Sequence, residues 1–350
     1  MHHESFSNRH RFFLIATLFL ISTLSYADRN VLSVVVEGIK QEFHLSDTLV
    51  GLLIGGPFAI LFALFGIPIA RLADLYNRKS ILLLCLFVWS CATLLCGLAG
   101  TVWMLALSRM LVGAGEAGAA PTSHSLVADY CSPAQRSRAY SALTASAAIG
   151  GFLALAGGGF IAGHYGWRSA FLVMGAASLP VLVLAARILI EPRNRSGEAV
   201  DERTGSTHWL DQLWALAAKR SYVLLATGLT IYGFVAYGPL LLAPTYLIRV
   251  LGADVFQAGL VFGPALGLGT LAGSFLGGLL GDRLVQRNPL WLVRIPSLGL
   301  LAALPAGLAA FTTSSMKTFL LTCSLMVAML SACLPVIFAA VQAVCGSGIM

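Results

Sequence analysis

Apolar residues run along this chain in blocks of about twenty, each long enough to cross a hydrocarbon core of about 30 Å as a helix. The blocks cover 12–36, 49–72, 80–98, 103–128, 139–162 and 167–189, then 222–248, 256–281, 290–311 and 317–344. Between the two sets lies a polar, charged stretch over 191–220. This pattern predicts an all-α polytopic membrane protein, with a six-helix bundle over 1–190, an inter-domain loop over 191–220 and a four-helix bundle over 221–350. Arg9 and Arg11 precede the first block as they do in a signal peptide, but the apolar run continues to Val36 without a small-residue cleavage site. It reads as a retained first helix.

Composition agrees with lipid as the main solvent. Hydrophobic residues make up 58% and charged residues 11% of the 350, too little polar surface to cover a water-soluble globule. The formal charge of +7 does not point to nucleic acid, because Lys and Arg are strung between the apolar blocks rather than gathered into a patch. Counting alternate sides, one receives Arg9, Arg11, Arg71, Arg78, Lys79, Arg136, Arg138, the basic residues of 187–220, Arg283, Arg287 and Arg294; the other receives only Lys40, Arg168, Arg249 and Lys317. The positive-inside rule then places the N-terminus in the cytoplasm of a cell-membrane protein. The cysteines form no Cys-x-x-Cys pair and read as small hydrophobes, so no metal or other cofactor is expected.

The two halves echo one another. Gly66-Ile-Pro-Ile-Ala-Arg-Leu-Ala-Asp74 closes the second block and Gly277-Gly-Leu-Leu-Gly-Asp282-Arg283 the eighth, each a small-residue helix followed by an acid and basic residues. That is the parallel repeat of a carrier built from two six-helix halves, and by it the second half lacks an eleventh and a twelfth helix.

Several segments resemble a known family. Ala70-Arg-Leu-Ala-Asp74-Leu-Tyr-Asn77-Arg78-Lys79 is similar to the loop signature between the second and third helices of the major facilitator superfamily, with Ala and Asn in its Gly places. Arg109-Met-Leu-Val-Gly113-Ala-Gly115-Glu116-Ala117 resembles the signature of the fourth helix, and Pro133-Ala-Gln-Arg136 and Gly166-Trp167-Arg168 complete the set. Tyr26-Ala-Asp28-Arg29, the Gly-x-Gly-Glu-Ala block and Leu126-Val-Ala-Asp129-Tyr resemble the spinster-like branch, including its bacterial members. The resemblance implies the major facilitator fold, with about ten of its usual twelve helices, and a secondary transporter rather than an enzyme. It implies a small organic anion or a lysolipid or sphingoid amphiphile as cargo, protons as coupling ions, and a monomer in the bilayer. Alternatives are a uniporter for sugar acids and a truncated fragment that does not transport. A channel, a membrane enzyme and a P-loop pump are disfavoured, since neither a filter segment, a catalytic constellation nor a Gly-x-x-x-x-Gly-Lys-Ser/Thr motif occurs.

Candidate chemistry follows from charges at membrane depth. Asp28 and Arg29 lie in the first block, Arg109 and Glu116 seven residues apart on one stripe of the fourth. Such groups are costly in hydrocarbon and require a cavity or partners. Glu116 or Asp28 is expected to exchange a proton, with Arg109 or Arg29 as alternating partner or anion clamp; a permanent ion pair between the first and fourth helices is the structural alternative. Asp74, Arg78, Lys79, Asp129, Arg136, Asp282 and Arg283 are expected to form a cytoplasmic gate, with Asp74 capping a helix and gripping nearby Arg. Tyr232 and Tyr237, beside Pro239 and Pro244, are expected to line a cavity wall. His124 reads as a packing residue.

Overall fold

A computed structural model describes residues 7–131, 133–192 and 218–346. It contains α1 (Asn8–Phe43), α2 (Asp47–Leu75), α3 (Arg78–Gly97), α4 (Val102–Glu116), α5 (Ala119–Tyr130), α6 (Pro133–Phe152), α7 (Gly158–Tyr165) and α8 (Trp167–Ile188). After the polar stretch come α9 (Arg220–Arg249), α10 (Val255–Arg287), α11 (Trp291–Thr312) and α12 (Met316–Gly346). Among the described residues, nine helices are long and apolar enough to cross a membrane. Helix starts follow local chemistry: the side chains of Ser7, Ser46, Asn77 and Thr101 accept hydrogen bonds from the backbone amides three residues on.

Two expected single helices are interrupted. The block over 103–128 folds as α4 and α5, parted at Ala117 and Gly118. Pro121 explains the break, because it has no N–H to offer the Ala117 carbonyl four residues earlier. The block over 139–162 contains a wider turn over Leu153–Gly157, where the Gly158 amide reaches back to the Leu153 carbonyl. In contrast, α9 runs unbroken through Pro239 and Pro244.

The described chain divides into two compact units, Met1–Val200 with Asp254–Leu260, and Asp201–Ala253 with Val261–Met350. In the first, α1 packs on α6 and α8, α3 on α4 and α8, and α2 on α4. Leu14, Leu18, Ile21, Leu82, Trp89, Leu105 and Phe171 are fully buried there, whereas Leu64, Leu84 and Leu107 are exposed as lipid-facing side chains are. Small residues permit the closest approaches: a Cβ on Gly113 would lie 2.3 Å from the Phe58 carbonyl oxygen of α2. In the second unit α11 packs on α12, and Gly273 and Gly277 bring α10 against Ala328 and Ala332 of α12. Tyr246 stacks on Phe319 at 5.3 Å and donates to the Thr313 carbonyl at 2.8 Å.

Candidate functional site: a buried charge cluster

The first unit gathers ionisable groups from two helices, α1 and α4, with a hydroxyl from a third, α3. Glu116, in the last turn of α4, is wholly buried. Its Oε2 accepts from Arg29 Nε at 2.6 Å and from Ser25 Oγ at 2.9 Å. Ser25 and Arg29 are four apart on α1 and so share one face; Arg29 Nη2 donates to Ser25 Oγ at 3.4 Å. Arg29 keeps 26% of its side chain exposed while Glu116 has none. One face of the pair is open and the other sealed.

Asp28 takes a different partner. Its Oδ2 accepts from Thr93 Oγ1 of α3 at 2.9 Å, and Arg109 Nη1 donates to the Asp28 backbone carbonyl at 3.2 Å. Asp28 and Arg109 are both buried. Three buried atoms of this group, Asp28 Oδ1, Arg109 Nε and Glu116 Oε1, have no hydrogen-bond partner among the described residues. Leaving such atoms unsatisfied costs about 1–3 kcal/mol each, more when charged, so the hydrogen-bonding capacity of the cluster is only partly filled by the described residues. Of the pairings open from sequence, Glu116 with Arg29 is the one formed.

Aromatic rings of α2, with Tyr26 of α1, flank the arginines. The Arg29 guanidinium carbon lies 4.6 Å from the Phe62 centroid and 5.4 Å from those of Phe58 and Tyr26. Arg109 lies 5.4 Å from Phe58. A guanidinium on an aromatic face gains about 0.5–2 kcal/mol, the upper end where water is excluded. Sequence reasoning missed Ser25, Phe58, Phe62 and Thr93; only Ser25 had a readable signal, the helical spacing to Arg29.

At one end of this unit Arg78 opens α3 and is itself buried. Its Nη2 bonds Asp129 Oδ2 at 2.5 Å and Glu191 Oε1 at 2.8 Å, and Nη1 bonds Ser125 Oγ at 2.9 Å. The carboxylate that caps α3 and grips Arg78 is Glu191, which accepts from the amides of Arg78 at 2.6 Å and Lys79 at 3.2 Å. Asp74, expected among the gate residues, is exposed at the end of α2. Lys79 Nζ donates to the Ala186 carbonyl at 2.7 Å. Glu191 was read as the first residue of a loop, and nothing in its neighbours marks it as a cap. Arg283 is exposed, and the side chains of Arg136 and Asp282 lie outside the described ones.

At the opposite end Glu42 accepts from Trp167 Nε1 at 2.8 Å and Arg168 Nη1 at 2.5 Å, while Arg168 Nη2 reaches the Ala99 carbonyl at 2.8 Å. His124 stacks on Tyr140 at 5.1 Å. In the second unit Tyr232 is buried and donates to the Leu330 carbonyl at 2.8 Å. It is a strut between α9 and α12 rather than the cavity wall expected, whereas Tyr237 is exposed.

Comparison with known proteins agrees with this architecture. The sequence profile of the Major Facilitator Superfamily matches residues 18–349. The chain belongs to the Major Facilitator Superfamily. Within the superfamily it is 34% identical over 315 residues to an MFS-type efflux pump of Mycolicibacterium smegmatis, a match covering 89% of this chain and 71% of the pump. It is 31% identical over 247 residues to protein spinster homolog 1 of Xenopus tropicalis, covering 69% of this chain and 47% of that one. A probable galactarate/D-glucarate transporter of Bacillus subtilis is 30% identical over 306 residues, covering 79% and 66%. The chain thus spans about half to two thirds of the length of several relatives it matches. Among solved structures, a bacterial homolog of the human lysosomal transporter spinster, inward-facing and unoccupied, superposes with a TM-score of 0.81 at 32% identity, covering 96% of this chain and 76% of that one.

Proposed function

We propose that this superfamily member serves as a secondary transporter that moves a small organic anion by alternating access, with the Arg29–Glu116 pair as its proton-linked switch. The observation that carries this reading is the asymmetry of the pair, a partly exposed cation bonded to a sealed acid. With Glu116 ionised, Oε2 holds Arg29 and Ser25. Protonating Glu116 removes the negative charge that detains Arg29, and the guanidinium is then released to grip a carboxylate. Proton and anion are bound together and leave together, which is symport. A sugar acid such as D-glucarate fits this chemistry, and a relative that bears that substrate in its name supports it.

A second reading, an amphiphile with an anionic head, is favoured by one specific feature: Phe58, Phe62 and Tyr26 put apolar surface directly beside Arg29. A lysolipid or sphingoid tail would lie on those rings. In either case the Arg78 end faces the cytoplasm, by the distribution of Lys and Arg, and the protein works as a monomer in the cell membrane without nucleic-acid partners. The bundles over 1–190 and 221–350 act as the two moving halves, and 191–220 joins them.

The test is uptake into liposomes holding the purified chain, with radiolabelled D-glucarate or a lysophospholipid, under an inwardly directed proton gradient. Uptake driven by the gradient is expected for one of the two. Glu116→Gln is expected to retain anion binding and lose the dependence on pH; a variant that kept the wild-type dependence would remove Glu116 from the coupling step.

A further inference from the structure

We infer that Phe58 is a positioning residue which ties the two arginines of the cluster to one aromatic ring, so that α2 governs both charges at once. This rests on the functional reading of the Arg29–Glu116 pair given above. Arg29 and Arg109 come from different helices, α1 and α4, and point to different acceptors, Glu116 Oε2 and the Asp28 carbonyl. Yet each guanidinium carbon lies 5.4 Å from the Phe58 centroid. Phe62, stacked on Phe58 at 5.4 Å, has a described cation contact with Arg29 and none with Arg109.

The ring is held in place from behind. Gly113 of α4 lets the Phe58 backbone come so close that a Cβ there would sit 2.3 Å from its carbonyl oxygen and 3.2 Å from its Cα. Phe58 is therefore fixed to α4 through its main chain while its ring serves cations of α1 and α4. A guanidinium binds the ring as a delocalised cation and keeps its N–H edges for carboxylates and carbonyls, so the ring contact does not compete with Glu116. A displacement of α2 alters both ring contacts together. One helix movement thus loosens Arg29 from Glu116 and Arg109 from the Asp28 carbonyl, which makes α2 the element that releases the anion-binding cation.

The experiment uses the full chain in detergent and measures phenylglyoxal modification of Arg29 and Arg109 separately by peptide mass spectrometry, at one pH. Phe58→Leu is expected to raise modification of both arginines at least about threefold, through loss of a cation–π contact worth up to about a thirtyfold change in occupancy. Phe58→Met, of about the same volume as leucine but unbranched, does the same. Phe58→Tyr keeps the ring and restores the wild-type rates for both. Phe62→Leu raises Arg29 alone. A general loosening of the fold does not produce this two-against-one pattern with aromatic rescue. Unchanged rates in Phe58→Leu and Phe58→Met, or a change at only one arginine, overturn the assignment. Failure of the coupling reading appears instead as pH-dependent uptake in Glu116→Gln, which leaves the labelling pattern untouched, so the two failures are told apart.

Discussion

At the scale of single residues, the cost of a charge depends on what would be left behind when its partner goes. Arg78 and Glu191 are both about 2% exposed and bonded to each other. Removing the acid in Glu191→Ala strands a buried guanidinium with Asp129 and leaves the first two amides of α3 without their acceptor, and is expected to destabilise the chain by about 3 kcal/mol. Lys40 and Asp47 form an equally short pair at 2.7 Å, but both are hydrated, and Lys40→Ala is expected to cost under about 1 kcal/mol. Thermal unfolding in detergent checks both, with a clear fall in Tm for the first and almost none for the second. Arg29→Lys belongs to the same scale. An ammonium carries the charge but not the flat face that lies 4.6 Å from Phe62, so the variant is expected to lose about 1 kcal/mol of stability and to bind D-glucarate more weakly, as calorimetry would register. A lysine variant equal to wild type in both measurements would show that the rings contribute nothing.

At the scale of elements, two neighbouring glycines separate packing from propensity. In α10 a Cβ on Gly277 would come 2.1 Å from the Ala332 carbonyl oxygen, whereas one on Gly278 would meet nothing within 4 Å. Gly277→Ala must push α10 away from α12 and is expected to cost about 1–3 kcal/mol. Gly278→Ala is expected to leave stability unchanged or raise it by up to about 1 kcal/mol, because it removes backbone freedom from a helix interior. The Tm difference between the two variants is the measurement, and equal values would mean that α10 and α12 do not touch there. The helix interruptions were only partly readable. Pro121 carries its own cause of a break after Glu116, but Pro239 and Pro244 stand within a continuous α9, because a transmembrane helix tolerates proline where its surroundings satisfy the freed carbonyl.

At the scale of the whole molecule, the proposed orientation is directly testable. Gly100, at the Arg168 end, and Tyr76, at the Arg78 end, are both exposed. In intact cells a membrane-impermeant maleimide is expected to label Gly100→Cys and to leave Tyr76→Cys unlabelled until the membrane is permeabilised. The reverse pattern would invert the topology.

Hydrophobic blocks, loop charges and spaced motifs determined the class of protein, the order of its helices and the superfamily, because lipid thickness and the need to satisfy every backbone group leave few alternatives for such a sequence. They also marked Asp28, Arg29, Arg109 and Glu116 as costly charges requiring partners. Which partners they take was decided only by packing. Arg29 meets Glu116 rather than Asp28, Thr93 arrives from a third helix, Glu191 joins Asn77 at the start of α3, and Tyr232 turns to Leu330. Those choices depend on the rotation and depth of one helix against another, set by side-chain volumes and glycine contacts far apart in the chain, and no local pattern encodes them.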